Sequence, residues 1–551
     1  MCGIHVTLSA KHRSIPSELR SCLSNRGPDH VGEVQRRVRR SNDASPYLLT
    51  FTSTVLALRG DHIAKQPLAF GGNGSVLCWN GEAWRIGGRR VQGNDGEDIL
   101  GLLAEASASA AGQDAILDVF RRIEGPFAFV YYDEPSGTVF FGRDRLGRRS
   151  LMISEDASGD LTLCSVAESR EPIWREVEAD GFYSLDPSQT SSTEPASRLF
   201  RKHEWLKGDG PEWVSGIGKF NRSLPPAGSV LSISSPSVVL LRERLVDSLR
   251  LRVLDIPQPP LSTSTSPRVA VLFSGGLDCT VLARLAHEVL EPDQGIDLIN
   301  VAFENPRVVA QLQKESVTDF YEACPDRITG RKSFAELVSV CPGRGFRFIA
   351  VNIPYTETIS HREQVISLIY PHNTEMDLSI AYALYFASRG QGLASLPDGV
   401  VELAYKTPAR VLLSGLGADE LFGGYGRHAV AYSRKGYPGL VDELLLDVSR
   451  ISKRNLGRDD RVMAHWGKEV RFPYLDERLV RWAMEACVWE KCDFENGDAI
   501  TGVEAGKRVL RLLALQLGMS GVATEKKRAI QFGSRTAKME SGRVKGTTVL
   551  S

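Results

Sequence analysis

Two domains of mixed structure, one α+β and one α/β, are predicted by three observations. The chain has 551 residues, more than a single hydrophobic core ordinarily organises. Residues 1–235 carry short β-branched and aromatic runs (VLALRG, SVLCWNG, PFAFVYYD, TVFFGRD) separated by Gly, Asn and Asp, the pattern of sheet hairpins. From Val269 onward, apolar strands (VAVLF, DLINVAF, ARVLLSG) are followed by helical periodicity such as TVLARLAHEVL. That alternation implies a mostly parallel sheet covered on both faces.

In the first domain, GEDILGLLAEASASA and AILDVFRRIEG are spaced as helices. VLLRERLVDSLRLRVL reads as an amphipathic helix opening the second domain, so the domains are placed at residues 1–235 and 236–551. The PQPP run and LSTSTSPR, Leu261–Arg268, read as a loop before the next core element. LVDELLLDVSRISKRN, ERLVRWAMEACVWE and AGKRVLRLLALQLG predict a largely helical C-terminal part.

Acidic and basic residues balance at 67 each. There is no overall electrostatic reason to expect a nucleic acid or a membrane as partner. The basic cluster Arg36, Arg37, Arg39 and Arg40 reads as a solvated loop or strand edge. Nine cysteines, an odd number with no CxxC pair, argue against a disulfide framework and a structural zinc site. A reducing, cytoplasmic setting fits. The start, MCGIHVTLSAKHRS, lacks a signal-like apolar region, and no apolar run approaches the ~20 residues that span a bilayer.

Cys2 follows the initiator Met. Removing that Met leaves a cysteine with a free α-amine, whose pKa of about 8 lets it act as base for its own thiol. MCGI, NRGPDH (Asn25–His30), WNGE (Trp79–Glu82) and NDGEDIL (Asn94–Leu100) follow in that order. Singly they are ordinary: Asn80-Gly81 suits a hairpin turn, and Arg59 and Asp95 suit a surface. As a set they resemble class II glutamine amidotransferases with an N-terminal nucleophile, over roughly residues 2–185. The resemblance implies an αββα sandwich that hydrolyses glutamine to glutamate and ammonia. It implies Cys2 as nucleophile, with Asn80 and the Gly81 amide as the oxyanion hole. It implies Arg59 on the glutamine α-carboxylate, and Asp95 with nearby Glu82 on the α-ammonium. One departure is that only six residues separate Arg59 from Gln66, fewer than in the family's synthetases.

FSGGLDCT, Phe273–Thr280, lies between an apolar strand and a helix. Such a turn aims backbone N–H groups and a helix N-terminus at an anion, and Asp278 can hold Mg²⁺ bridging phosphates. It is not a Walker A loop, since the Gly-Lys pairs at Gly218, Gly467 and Gly506 are never followed by Ser or Thr. LLSGLGADELFGGYGRH, Leu412–His428, follows a second apolar strand; its Asp419-Glu420 would also suit an ordinary helix start. The two motifs together resemble ATP pyrophosphatases of the asparagine synthetase type, with an adenine nucleotide alpha-hydrolase-like fold. The resemblance implies ATP and Mg²⁺, with Asp278 and Asp419 as metal ligands. Ser274, Gly275, Gly276 and Cys279 would surround the pyrophosphate, Ser414 and Gly415 would line the adenylate, and Leu272 and Val301 would pack on adenine. Gly457–Val480 resembles the segment that closes over aspartyl adenylate. EKKRAIQFGSR, Glu525–Arg535, resembles the basic loop that neutralises departing pyrophosphate, through Lys527 or Arg528.

Two positions break the pattern. Cys279 replaces the usual Ser and is a weaker donor, with Thr280 as partial compensation. Leu416 replaces the Glu that asparagine synthetases keep near the point of ammonia attack. General acid–base help is typically worth about 10² to 10⁴ in rate, and Asp459 or Asp460 are the candidate substitutes. Leu416 together with LRG, FASRG, NLGRDDR and QFGSR resembles a eukaryotic subgroup of asparagine-synthetase-like class II amidotransferases. The implied substrates are glutamine, aspartate and ATP, giving asparagine, glutamate, AMP and pyrophosphate through aspartyl adenylate and channelled ammonia; a homodimer is allowed. Two alternatives stand beside this reading. One is a ligase with another acyl partner, as in β-lactam-forming relatives, which usually lose the N-terminal Cys. The other is a pseudo-synthetase that senses glutamine or ATP, or scaffolds, without ligating.

Overall fold

The computed structural model describes residues 2–39, 46–167, 173–190, 195–206, 213–496, 502–539 and 545–550. It divides into two units. The first comprises Met1–Pro211, Ser367–His372 and Ile451–Gly467; the second comprises Glu212–Ile366, Asn373–Arg450 and Lys468–Ser551.

Alternating apolar residues build two antiparallel six-stranded sheets in the first unit. One is centred on strands Gly3–Ser9 and Tyr47–Val55, the other on Phe127–Asp133 and Val76–Gly81. Ile4, Val6 and Phe51 from the first meet Cys78, Ala128 and Val130 from the second in a shared core. Leu77, Trp79, Phe129 and Tyr131 point the other way, onto helices Asp95–Ala108 and Gln113–Arg121. Helix Ser17–Arg26 packs on the first sheet. The layers are therefore α, β, β, α, as the resemblance implies. Arg36 and Arg37 lie on the edge strand His30–Val38, Arg39 follows it, and Arg40 lies outside the described residues.

The second unit holds a seven-stranded sheet. Strands Val269–Leu272, Ile296–Phe303, Phe346–Ile353, Val411–Leu413 and Glu469–Arg471 run parallel. An antiparallel hairpin, Gln391–Ser395 and Val401–Lys406, adds one edge. The chain leaves Val269–Leu272 in one direction for the next two parallel strands, then returns to its other side with Val411–Leu413. The loops after Leu272 and Leu413 thus flank the point where strand order reverses, where α/β sheets bind ligands.

The expected amphipathic helix is Pro236–Val253. Residues 213–235 already pack in the second unit before it: Arg481 Nε donates to the Ile217 carbonyl at 2.8 Å, and the Leu231 amide donates to Asp493 at 3.0 Å. The block Gly457–Val480 is divided. Its helix Leu456–Ala464 belongs to the first unit, and its strand Glu469–Arg471 to the second. Among the described residues no helix is long and apolar enough to cross a membrane, and all nine cysteines are free.

Candidate functional site

In the first unit, Cys2 immediately precedes strand Gly3–Ser9 and is 9% exposed. Its Sγ accepts from Gln66 Nε2 at 3.8 Å, and Gln66 Oε1 accepts the Trp79 amide at 2.8 Å. Sequence reasoning used Gln66 only as a landmark; its contact with the thiol comes from the fold. Asn80 lies on the strand that carries Trp79 and is wholly buried. Neither its amide nitrogen nor its carbonyl oxygen has a hydrogen-bond partner. An orphaned buried amide costs about 1–3 kcal/mol, and Asn80 keeps both its donors and its acceptor uncommitted. Gly81 closes the strand opposite Phe127.

Asp95 begins helix Asp95–Ala108, whose N-cap Asn94 accepts the Glu97 amide. One Asp95 oxygen accepts from Trp79 Nε1 at 3.0 Å and from the Ala83 amide at 2.7 Å. Burial pushes its carboxyl up, with the Arg59 guanidinium opposing, so an arriving cation would favour its charged form. Arg59 donates to the carbonyls of Gly93, Ala83 and Val91 and to Glu82 Oε2. It ties three chain segments together and commits most of its donors to the protein. Cys2, Gln66, Trp79, Asp95, Ala83, Arg59 and Glu82 form one hydrogen-bonded chain, with Asn80 on the strand between.

In the second unit, the turn after Leu272 requires glycine at Gly275. Its φ is +82°, and a Cβ there would sit 2.5 Å from the Gly330 backbone. Ser333, on helix Pro325–Val340, donates to the Gly275 carbonyl at 2.6 Å. Gly276 caps helix Leu277–Val289, and its amide donates to Ser274 Oγ at 3.3 Å. The Cys279 thiol and the Thr280 hydroxyl both turn back to the Gly276 carbonyl, at 3.3 and 2.8 Å. Burial pushes the Cys279 thiol up. Thr280 is therefore engaged in its own helix, in the same way as Cys279. Half-buried Leu272 ends its strand, and buried Val301 lies within the adjacent one, Ile296–Phe303. The Ser414 amide donates to the Arg471 carbonyl at 3.0 Å, and its hydroxyl accepts the Leu416 amide at 3.3 Å. A Cβ on Gly415 would lie 2.9 Å from Asp278 Cβ, so glycine there lets the two motif loops touch.

Both motif carboxylates converge on Lys507. Its Nζ lies 2.9 Å from each Asp278 oxygen and 2.9 Å from Asp419 Oδ1. The Lys527 ammonium meets the other Asp419 oxygen. Burial alone would raise Asp419, yet the two ammonium groups hold it well below the usual carboxylate range. Burial alone would lower Lys507, yet the two carboxylates raise it. Lys507 was missed in the sequence because AGKRVL reads as an ordinary helix start. Its signal was Lys next to Gly before an apolar helix, which many chains share.

Of the two basic-loop candidates, Lys527 reaches Asp419, while Arg528 donates to Thr329 Oγ1 at 3.3 Å and lies 3.8 Å from Asp326. Burial pushes Asp326 up to about 7, partly offset by Arg528 and Lys527. Among the described residues no cluster of three or more His, Cys, Asp or Glu could hold a metal. Two carboxylates around one cation are nevertheless what Mg²⁺ takes from a protein when phosphates and water complete its shell, and Lys507 stands in for that cation. The residues fit the ion.

Asp459 and Asp460, the candidate substitutes for the missing Glu, are each paired with arginine. Both are buried in the first unit: Asp459 with Arg458 at 2.8 Å, Asp460 with Arg26 at 2.8 Å and Arg149 at 3.7 Å. The sequence reading placed them by their nearness in sequence to the synthetase block, and the fold divides that block.

The profile of the glutamine amidotransferase domain matches residues 1–185. That of asparagine synthase matches residues 399–442 and 433–547. Asparagine synthetase domain-containing protein 1 of Homo sapiens is 32% identical over 98% of this chain and 96% of its own. The Bos taurus protein of the same name is 32% identical over 99% and 97%. An asparagine synthetase domain-containing protein of Saccharomyces cerevisiae is 32% identical over 99% and 93%.

Two outcomes follow. Lys507→Met removes the shared ammonium, leaving two carboxylates facing one gap. Mg²⁺ without nucleotide will then raise the thermal midpoint of the variant and not of the native protein; no Mg²⁺ effect on the variant contradicts the cation site. Asp326 is neutral below about pH 7 and ionised above it, where it competes with phosphate for Arg528. The ratio of pyrophosphate Kd in native protein to that in Asp326→Asn will be near one at acid pH. It will rise about threefold to tenfold by pH 8; a flat ratio contradicts the assignment.

Proposed function

Because the chain belongs to the asparagine synthetase domain-containing protein 1 family, we propose that it is a glutamine-dependent, ATP-consuming ligase of the asparagine synthetase kind, working in the cytoplasm. The observation that carries this reading is the convergence of Asp278 and Asp419 on one ammonium at the reversal of strand order. A chain that only hydrolysed glutamine would have no use for it.

In the glutaminase half, Cys2 Sγ attacks the glutamine carboxamide carbon, and the thiol proton passes to the α-amine freed by Met removal. The unpartnered Asn80 amide donates to the developing oxyanion. The proton goes on to the departing ammonia, and water releases glutamate from the thioester. Asp95, poorly solvated and half engaged, takes the substrate α-ammonium. Arg59 and Glu82 frame that end, with the Arg59 guanidinium supplying the positive charge that faces the α-carboxylate.

In the ligase half, the aspartate side-chain carboxylate attacks the α-phosphorus of ATP and pyrophosphate leaves. The Ser274–Gly276 turn and the N-terminus of helix Leu277–Val289 face the phosphates. Lys507, Lys527 and Arg528 offset the charge that accumulates on pyrophosphate. Mg²⁺, held by Asp278 and Asp419, would supply Lewis-acid charge neutralisation there. Leu272 and Val301 offer an apolar seat for adenine, beside Ser414 and Gly415. Ammonia then attacks the acyl carbon and AMP leaves.

A second reading, a pseudo-synthetase that binds without ligating, is favoured by Leu416 and by the engagement of Asp459 and Asp460 elsewhere. The readings separate by experiment. Cys2→Ala will abolish glutamine hydrolysis and leave ATP binding intact, while Asp278→Asn and Asp419→Asn will do the reverse; loss of both functions in either set contradicts two independent sites. In the native protein, aspartate will drive exchange of labelled pyrophosphate into ATP. Leu416→Glu will raise asparagine formed per pyrophosphate released, by up to about 10². Absence of exchange in both forms favours the pseudo-synthetase.

A further inference from the structure

Cys2 lies outside strand Gly3–Ser9, so sheet pairing does not hold the residue itself. Helix Ser17–Arg26 does. The Gly3 amide donates to Thr54 Oγ1 at 3.0 Å, and that hydroxyl donates to the Leu23 carbonyl at 2.6 Å. Arg26 ends the helix, and its Nε donates to the Cys2 carbonyl at 3.4 Å. The peptide that follows Cys2 is therefore gripped at both ends, at its oxygen by a guanidinium and at its nitrogen by a hydroxyl.

Arg26 is itself 1% exposed, and a buried guanidinium holds its place only against an anion. That anion is Asp460, 434 residues away in sequence, whose Oδ2 accepts from Arg26 Nη2 at 2.8 Å. Asp460 is wholly buried and is fixed in turn by the Ser150 amide at 3.2 Å and by Arg149 Nη1 at 3.7 Å. Its neighbour Arg461 fastens the same helix, Leu456–Ala464, to the unit. Arg461 donates to Ser150 Oγ at 2.9 Å and to the carbonyls of Leu368 and Ile369 at 2.8 and 3.2 Å.

We propose that Asp460 is a positioning residue of the glutaminase: by orienting Arg26 it fixes the backbone of Cys2, so that the nucleophile is competent only while helix Leu456–Ala464 is docked in the first unit. The proposal rests on the reading of Cys2 as nucleophile. It makes the glutaminase depend on a residue from the half of the chain that carries the ATP motifs. Beyond the helix the chain passes Gly467 and enters strand Glu469–Arg471, and the Arg471 carbonyl accepts the Ser414 amide at 3.0 Å. The anchor of the nucleophile and the second ATP loop thus share one short stretch of chain.

The test uses full-length native protein, Asp460→Asn, Asp460→Glu and the double variant Arg26→Met, Asp460→Leu. The readouts are kcat and KM for glutamine hydrolysis, inactivation of Cys2 by a glutamine-like diazo ketone, and the thermal midpoint. Asp460→Asn will lower kcat and the inactivation rate about 10- to 100-fold, the usual consequence of a displacement of about 1 Å, with KM changed less than about threefold. Asp460→Glu will recover part of the loss. The double variant removes both buried charges, so it will recover the thermal midpoint but not kcat. Native kcat in Asp460→Asn, or recovery of midpoint and kcat together in the double variant, overturns the proposal and leaves the nucleophile in place. A native protein that neither hydrolyses glutamine nor takes the label at Cys2 overturns both.

Discussion

Asp278 and Asp419 stand in the first turns of the helices that follow two neighbouring strands, and like charges so close together need a cation between them. Lys507 provides it at 2.9 Å from each. Much of the second unit serves that meeting. The reversal of strand order puts the two loops side by side, Gly415 allows them to touch, and Tyr474 Oη donates to the Asp278 carbonyl at 3.1 Å. Helix Pro325–Val340 joins the Ser274–Gly276 turn to the basic loop, through Ser333 on one side and Thr329 and Asp326 on the other. The two carboxylates face two ammonium groups, from Lys507 and Lys527, which lowers the cost of burying them.

The first unit follows a complementary logic. Its buried charges are paired, as in Arg26–Asp460 and Arg59–Glu82, while Asn80 is left without a partner. Pairing fixes positions, and the Asn80 amide keeps its donors and acceptor uncommitted. Asp95 lies between these cases, with burial raising its carboxyl while Trp79 and the Ala83 amide satisfy one oxygen.

Period-two runs and turn residues announced the hairpins of the first unit, and strand-turn-helix alternation announced the parallel sheet. The ordered motifs named Cys2, Asn80, Asp95, Asp278 and Asp419, because those residues sit at strand ends and helix starts whose local sequence is distinctive. Lys507 was not legible: its role exists only because helix Arg508–Gln516 begins next to two distant loops. Gln66 and Asp326 escaped for the same reason. Gly457–Val480 is one continuous motif in the sequence, and the fold divides it between the two units. Asp460 and Arg461 find their partners in the first unit and draw helix Leu456–Ala464 there, while Val470, three residues beyond Gly467, pairs with Leu412 in the second.

The central claim is that nitrogen released at Cys2 is spent at the Asp278–Asp419 site. It is tested most directly by incubating the full-length protein with glutamine labelled with ¹⁵N in its amide, aspartate, ATP and Mg²⁺, and following the label by mass spectrometry. The account predicts ¹⁵N-asparagine that requires ATP and disappears in Cys2→Ala, with unlabelled asparagine returning when ammonium is added. Labelled ammonia released with no asparagine and no AMP, under conditions where both substrates bind, would contradict it.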